Sequence, residues 1–476
     1  MRALVWFRSD LRTRDNRALW QAAAESDRGV VGAYVIAPEA WRAHDVAACR
    51  VDFTLRTLAE LSRSLAGHSI PLVVLTAASG ADVPRLLLEL ATRARCDGLY
   101  FNREYEVDES RRDVVVTAAF EKSGRRVRAF DDQVILPPGE VWTGDGRFFT
   151  VFTPYKRAWL ARLAEQGIPA PAPLASPRRQ PDTGVATTAV PSSVSGFESP
   201  IDSRLWPAGE GEALRRLKRF AAEKIGRYKS DRDAPEIEGT STLSPYLAVG
   251  AISPRQCLAA AMEANGGRAD GGRVGPATWI SELIWREFYV HVLAGYPRVC
   301  MNRAFKPVTD RLVWREDEAG FDAWCAGRTG YPIVDAAMRQ LAQTGWMHNR
   351  LRMIAAMFLT KDLLIDWRRG ERFFMQSLID GFFASNNGGW QWSASTGTDA
   401  VPYFRVFNPA SQSRQNDPEG AFIRRFVPEL ASLDAETIHD PPPLVRTRLG
   451  YPEPIVDHGA ARKRVMEVFR ALSGTR

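Results

Sequence analysis

Hydrophobic and polar positions change rhythm partway along this 476-residue chain. In the N-terminal part, short apolar runs of strand length recur: Ala3 to Phe7, Val30 to Ile36, Pro71 to Thr76 and Leu99 to Asn102. Amphipathic stretches with helical spacing separate them, for example Cys49 to Ala66 and Asp82 to Arg95. Strands alternating with helices predict an α/β domain over residues 1–131, with a doubly wound parallel sheet covered on both faces. An interdomain linker is expected over residues 132–207. Within it, Pro169-Ala170-Pro171-Ala172-Pro173 opens a Ser/Thr/Pro-rich stretch that runs to Pro207 and reads as irregular and solvated. From residue 208 to 476 the period becomes helical, as in Glu212 to Lys224, Pro254 to Ala264, Ala277 to Leu293, Pro332 to Thr344 and Asn349 to Trp367. Alternating patterns are nearly absent there, which predicts an all-helical second domain of roughly 270 residues, large for one core.

Composition narrows the function classes. The formal charge is +7 and the pI near 9.2, which permits a polyanionic partner such as DNA. A solvated surface with an arginine bias explains the same numbers. The five cysteines are scattered and odd in number, with no C-x-x-C. That fits a reducing cytosol, hence a cytoplasmic location, and argues against a disulfide framework or a zinc ribbon. The six histidines have no metal-ligand spacing, so no metal site is expected. The start of the chain does not read as a signal peptide, and no apolar run reaches the roughly 18 residues of a membrane span. The first strand runs into Arg8-Ser9-Asp10-Leu11-Arg12, and neither G-x-G-x-x-G nor G-x-x-x-x-G-K-[ST] is present. A typical NAD or ATP site is therefore not expected.

Five features of the second half could carry chemistry. Of the 14 tryptophans, eight lie beyond residue 275. Any one of them is explained by core packing. A cluster could stack on bases, or relay electrons near a redox cofactor, because an indole loses one electron relatively easily. Glu238-Gly239-Thr240-Ser241-Thr242-Leu243-Ser244-Pro245 sets hydroxyls before a proline and a predicted helix, which is ordinary N-cap chemistry but also suits a phosphate. Glu282 and Arg286 lie one turn apart around Trp285 and could form a helix salt bridge. Gly345 to Met353 places Arg350 and Arg352 beside Asn349, either on a solvated surface or as phosphate forks. Asn386-Asn387-Gly388-Gly389 reads as a turn, with close backbone approach to a flat ligand as the alternative.

In this order and at these spacings, the motifs make the chain resemble the photolyase/cryptochrome family, and within it the bacterial class I cyclobutane pyrimidine dimer photolyases. The resemblance runs from Leu4 to near the C-terminus and is uninformative only across residues 170–205. Its most specific segments are Trp285 to Tyr289, Thr329 to Pro332 with Asp335-Ala336, Gly345 to Arg352, and Asn386 to Trp392 followed by Ser395 to Asp399. It implies an antenna domain and a helical domain holding FAD in a U-shape. Tyr228, Thr240, Ser241, Leu243 and Ser244 would hold the phosphates and adenine side. Trp279, Arg286, Trp346, Asn349, Arg352 and Asp380 would line the flavin site, with Arg352 and Asp380 paired beside the ring. Asn386 would face flavin N5.

The implied activity is blue-light repair of cyclobutane pyrimidine dimers in DNA. The damaged dinucleotide is flipped into a cavity over the flavin. One electron passes from excited reduced flavin to the dimer and returns after the ring opens. Glu282 would hydrogen-bond the dimer and stabilise its radical anion, with Trp285, Met353 and Trp392 as apolar walls. Arg232, Arg286, Tyr289, Asn349, Arg350 and Gln412 match DNA-contact positions. Trp390, Trp367 and Trp314 match the family's electron relay from flavin to surface. His44, Asp108 and Glu109 match positions that hold methenyltetrahydrofolate, although Asp108 replaces a common asparagine, so a deazaflavin or no antenna remains an alternative. Family members act as monomers.

One departure stands out. The family reads Asp-Gly-Asp where this chain reads Asp380-Gly381-Phe382. A flavin-facing side-chain hydrogen bond is lost, at a cost of about 1–3 kcal/mol, which would weaken the site without abolishing it. Three other readings compete with dimer repair. A 6-4 photolyase would place a second histidine at Met353. A cryptochrome-like light sensor would lack repair, and a light-independent damage-binding module would not need the tryptophan set.

Overall fold

The computed structural model describes residues 1–167 and 178–473, so the Pro169 to Pro173 run lies outside the described residues. They divide into two compact units. The first comprises Met1–Gly226, Ser241–Pro297 and Ile379–Gly381; the second comprises Arg227–Thr240, Arg298–Leu378 and Phe382–Arg476.

The first unit is built on a five-stranded, wholly parallel sheet. The strands are β1 (Ala3–Phe7), β2 (Val30–Ile36), β3 (Leu72–Thr76), β4 (Gly98–Asn102) and β5 (Arg126–Phe130), in the order β3-β2-β1-β4-β5. The strand order reverses at β1, as the doubly wound reading requires. Register explains the near-continuous apolar strands. Leu4 pairs with Val31 and Leu99, and Trp6 with Ala33 and Phe101. These residues line one face and pack under helices Val83–Arg93 and Val107–Lys122. β5 was not visible as a strand in the sequence. Its Arg-Val-Arg-Ala-Phe pattern is that of a half-exposed edge, with too few apolar residues to form a run. Beyond the sheet, the unit includes helices Phe152–Gln166, Pro254–Ala264 and Val274–Gly295.

The Arg8 to Arg12 segment after β1 is half of a buried ionic lock. The Arg12 guanidinium pairs with Asp132, and Arg255 bridges Asp15 at 3.0 Å and Asp132 at 2.6 Å. Arg12 also donates to the Gly250 carbonyl at 3.1 Å. Gly250 has φ +68°, and a Cβ there would run into the Ser9 and Asp10 backbone, so glycine is required.

The second unit is helical among its described residues. Its largest core joins helices Pro332–Thr344, Asn349–Met357, Trp367–Met375 and Phe383–Ser393 with the segment 422–438. Two sequence expectations fail here. The expected helix from Asn349 to Trp367 ends in a π-turn at Phe358–Asp362, and Leu364 then adopts φ +55°. Asp366 caps a new helix by accepting from the Arg368 amide at 3.0 Å, so Trp367 begins a helix rather than ending one. The Asn386 to Gly389 stretch is not a turn. It lies within helix Phe383–Ser393, held by the Asn386 amide on Phe382 O at 3.0 Å and a Gln391–Asn387 side-chain bond at 2.9 Å one turn apart. Tertiary packing of Trp390 overrides the local glycine signal. The Thr329 to Asp335 motif is a clasp. The buried Asp335 carboxylate accepts from the Thr329 amide and hydroxyl at 2.7 Å each, from the Gly330 amide and from Tyr451, while Arg446 reaches the Gly330 carbonyl at 2.7 Å.

Candidate functional site

In the first unit Trp279, Glu282, Trp285, Arg286 and Tyr289 fall on one helix. Along Val274–Gly295, Ile280, Leu283, Ile284, Glu287, Phe288 and His291 are buried, while Ser281, Glu282, Trp285, Arg286 and Tyr289 remain half-open. The open positions recur at helical spacing, so Glu282, Trp285, Arg286 and Tyr289 share one stripe. Trp285 is fixed by stacking on Phe152 at 3.6 Å and 8°, and Tyr289 lies 5.7 Å from it. Arg286 donates to Gln133 O at 2.6 Å. Trp279, one turn before this stripe, is buried against Phe220 at 4.8 Å. Glu287, on the buried side, was missed in the sequence because its neighbours drew attention. It accepts from the Ile135 amide and from Trp159 Nε1 at 2.7 Å, and burial pushes its carboxyl up to about 7.

The hydroxyl-rich segment behaves differently from the capping reading. The N-cap of helix Ser244–Ala248 is Leu243, which has no capping side chain. Thr242 takes φ +49° and accepts from Arg216 at 2.9 Å; Ser241 accepts from the Leu243 amide at 3.4 Å. None of these hydroxyls caps the helix. Asp380 is buried in this unit, and Arg50 donates to the adjacent Gly381 carbonyl.

The antenna candidates come together in the first unit. His44 Nδ1 lies 3.1 Å from Glu109 and Nε2 lies 3.5 Å from Asp108. The Glu109 hydrogen bond leads the rise of the imidazole to about 9, so it is cationic at neutral pH. Beside it, burial and the Glu109 and Glu104 charges push Glu106 up to about 7. Glu104 is held near 2 by Arg8 and Arg112 despite its own burial. The close spacing of Glu104, Glu106 and Glu109 was the signal available in the sequence.

In the second unit, two packed helices each carry an open stripe. Asn349, Arg352 and Met353 line one; Asn386, Gly389 and Trp392 line the other. His348 caps the first helix by accepting from the Arg350 amide at 3.3 Å, and burial depresses its imidazole to about 4. Arg352 is anchored on Met347 O at 2.8 Å. Trp346 lies 6.3 Å from His348. The Asn386 side-chain nitrogen donates to Glu371 O at 3.0 Å and Oε1 at 3.3 Å, which fixes the orientation of its amide. Tyr228 lies beneath the Arg232 guanidinium at 5.7 Å, and Thr240 closes that segment of the unit. Gln412 sits on helix Pro409–Asn416 with its side chain 3.4 Å from Gln415.

The relay candidates share one apolar core. Trp390 and Trp367 are both buried in it, and Trp314 is half-buried against it. Trp324, not singled out by sequence, stacks on Phe374 and meets Trp390 edge-on at 6.0 Å. Trp367 Nε1 finds no acceptor among the described residues.

In the second unit, the Asn386 side chain is anchored on Glu371 and an added Cβ at Gly389 would touch nothing, which leaves room for a flat ring system such as a flavin against this helix. Among the described residues no cluster could hold a metal ion, and no helix is long and apolar enough to cross a membrane.

Comparison with known proteins agrees. Residues 3–175 match the DNA photolyase family model, and residues 279–471 match the FAD binding domain of DNA photolyase. The chain is 46% identical to a deoxyribodipyrimidine photo-lyase of Vibrio cholerae, covering 99% of this chain and 100% of that one. It is 44% identical to one from Escherichia coli, with 98% of each covered. A bacterial class III photolyase from Agrobacterium tumefaciens superposes with a TM-score of 0.86 at 36% identity, over 99% of this chain and 98% of that one. The chain belongs to the DNA photolyase family.

Proposed function

We propose that the protein is a carbon–carbon lyase that uses blue light to split cyclobutane pyrimidine dimers in DNA. What carries the reading is the 44–46% identity to deoxyribodipyrimidine photo-lyases along essentially the whole chain. Bound reduced FAD would supply the photoexcited electron and take it back. Thr240, Ser241 and Ser244 would hold its phosphates together with Tyr228 and Leu243. Trp279, Arg286, Trp346, Asn349, Arg352 and Asp380 would line the ring site, and Asn386 Oδ1 would accept a ring N–H. Glu282 would hold the flipped dimer between Trp285, Met353 and Trp392. Arg232, Arg350, Tyr289 and Gln412, together with Arg286 and Asn349, would position the strand. Trp390, Trp367 and Trp314 would restore the reduced cofactor. Among the described residues the Trp367 indole N–H meets no acceptor, so no protein group is placed to take its proton during the transfer.

Residues 1–131 would serve as an antenna domain, joined through 132–207 to a catalytic domain over 208–476. Cationic His44 with Asp108 and Glu109 would bind methenyltetrahydrofolate, or a deazaflavin in its place. A monomer in the cytoplasm fits the five free cysteines.

The test is repair of a thymine-dimer oligonucleotide by photoreduced protein, under blue light and in the dark, after its absorption spectrum is recorded. Light-dependent loss of the dimer is expected, and a near-ultraviolet band beside the flavin bands would identify the antenna. Bound flavin without repair in either condition would oppose the reading, unless Phe382→Asp restores it.

A further inference from the structure

In the second unit, one carboxylate sits between two of the arginines read above as DNA contacts. Asp233 Oδ1 lies 2.9 Å from Arg350 Nη2 and 3.7 Å from Arg232 Nε. The carboxylate side chain is 41% exposed and the arginines are 22% and 20% exposed, so all three stand at an accessible surface. His348 is uncharged at neutral pH, and its environment includes Arg350, Arg352 and Arg232. The Arg350 Nε is buried and meets no acceptor among the described residues, so it is Nη2, the nitrogen paired with Asp233, that a phosphate would have to take over.

A phosphodiester oxygen and a carboxylate oxygen compete for the same N–H groups. We propose that Asp233 is a resident competitor for the DNA phosphate: it occupies Arg350 and faces Arg232 in the free protein and must be displaced when the strand binds. The proposal rests on the reading of Arg232 and Arg350 as DNA contacts. Its consequence is thermodynamic. The displaced carboxylate stays beside the phosphate and retains a cation there. Binding then releases fewer counterions than the number of phosphate contacts would give. Asp233 thus lowers affinity for any DNA backbone and flattens the salt dependence, which favours release of repaired product.

The test is equilibrium binding of the FAD-loaded protein to fluorescent dimer-bearing and undamaged duplexes, in the dark, over a salt series. Asp233→Asn keeps the shape and hydrogen-bonding capacity and removes the charge. It should tighten both affinities about threefold, the scale of an exposed ion pair. It should also steepen the slope of log affinity against log salt by up to about 0.9. Asp233→Ser, which also removes charge, should do the same. Arg350→Ala should weaken both duplexes and flatten the slope. Weaker binding in both Asp233 variants, or an unchanged slope, overturns the competitor role while Arg350→Ala still upholds the DNA contact. An unchanged affinity in Arg350→Ala overturns both. Flavin absorbance and melting temperature confirm that each variant is folded.

Discussion

Two buried regions solve opposite problems. In the first unit, Arg12, Asp15, Asp132 and Arg255 bring four charges together with almost no solvent. In the second, Trp324, Trp367 and Trp390 lie among aliphatic and aromatic side chains. The first region is stable only as a complete set, because each ion left without its partner stays desolvated. The second surrounds its indoles largely with apolar side chains, although the Arg368 guanidinium lies 4.7 Å from the centre of the Trp367 ring. The difference teaches what a motif means. Arg8 to Arg12 carries no phosphate-loop motif after its strand, and Arg12 there serves a structural lock. Trp324, Trp367 and Trp390 look like ordinary core residues spread along the sequence and share one core, with Trp314 packed against it.

The largest effect comes from breaking the lock. Arg255→Met leaves Asp15 without its guanidinium and removes one of two from Asp132, and should cost about 3–5 kcal/mol in chemical denaturation. Pairing it with Asp15→Leu should recover much of that loss, since apolar replacement of a buried pair is often neutral.

Lys361 tests whether the second unit also supports a buried charge. Its Nζ donates to Ser395 at 2.7 Å and lies 4.3 Å from the Phe469 ring, and burial depresses it to about 7. An unfolded lysine titrates near 10.4, so between about pH 7 and 10 the unfolded chain binds the extra proton. Stability should therefore rise with pH across that window, by a few kcal/mol in all. Lys361→Met should flatten the rise, and melting temperatures at pH 7 and 10 would show it.

Gly370 sharpens the aromatic side of the comparison. An added Cβ would run into the Trp390 ring and Leu359. Gly370→Ala should cost about 1–3 kcal/mol by overpacking. It should also slow light-driven reduction of the bound oxidised cofactor, which Gly-to-Ala changes at open positions such as Gly389 would not do through Trp390.

Much of this is legible in the amino-acid sequence. The sheet announced itself because buried parallel strands are nearly all apolar, whereas β5, an edge carrying two arginines, did not. The stripe from Glu282 to Tyr289 was legible because one helix carries it. The break after Asp362 was not, since Leu363, Leu364 and Ile365 continue an apolar pattern through a residue of positive φ. Nor was the helix through Asn386 to Gly389, where packing of Trp390 outweighs two glycines. Glu287, Trp324 and Asp233 were hidden because their importance lies in long-range neighbours, which periodicity does not encode.

The smallest effect belongs to the rim, where charges are paired but wet. His44 is 39% exposed, so its bonds to Glu109 and Asp108 should be worth less than about 1 kcal/mol. The ring is nonetheless held cationic to about 9. A raised imidazole stabilises the fold fully below its ordinary value near 6.5, and the contribution is lost as pH rises through 9. Glu109→Gln removes the leading cause of the rise, and an NMR titration should then place His44 closer to its ordinary value with little change in melting temperature. A large loss of stability would mean that this cluster behaves like the buried lock. A titration unmoved by Glu109→Gln would shift the cause to Asp108. The expected result keeps the contrast intact: the same charge chemistry is structural where water is excluded and only sets a local protonation state where it is not.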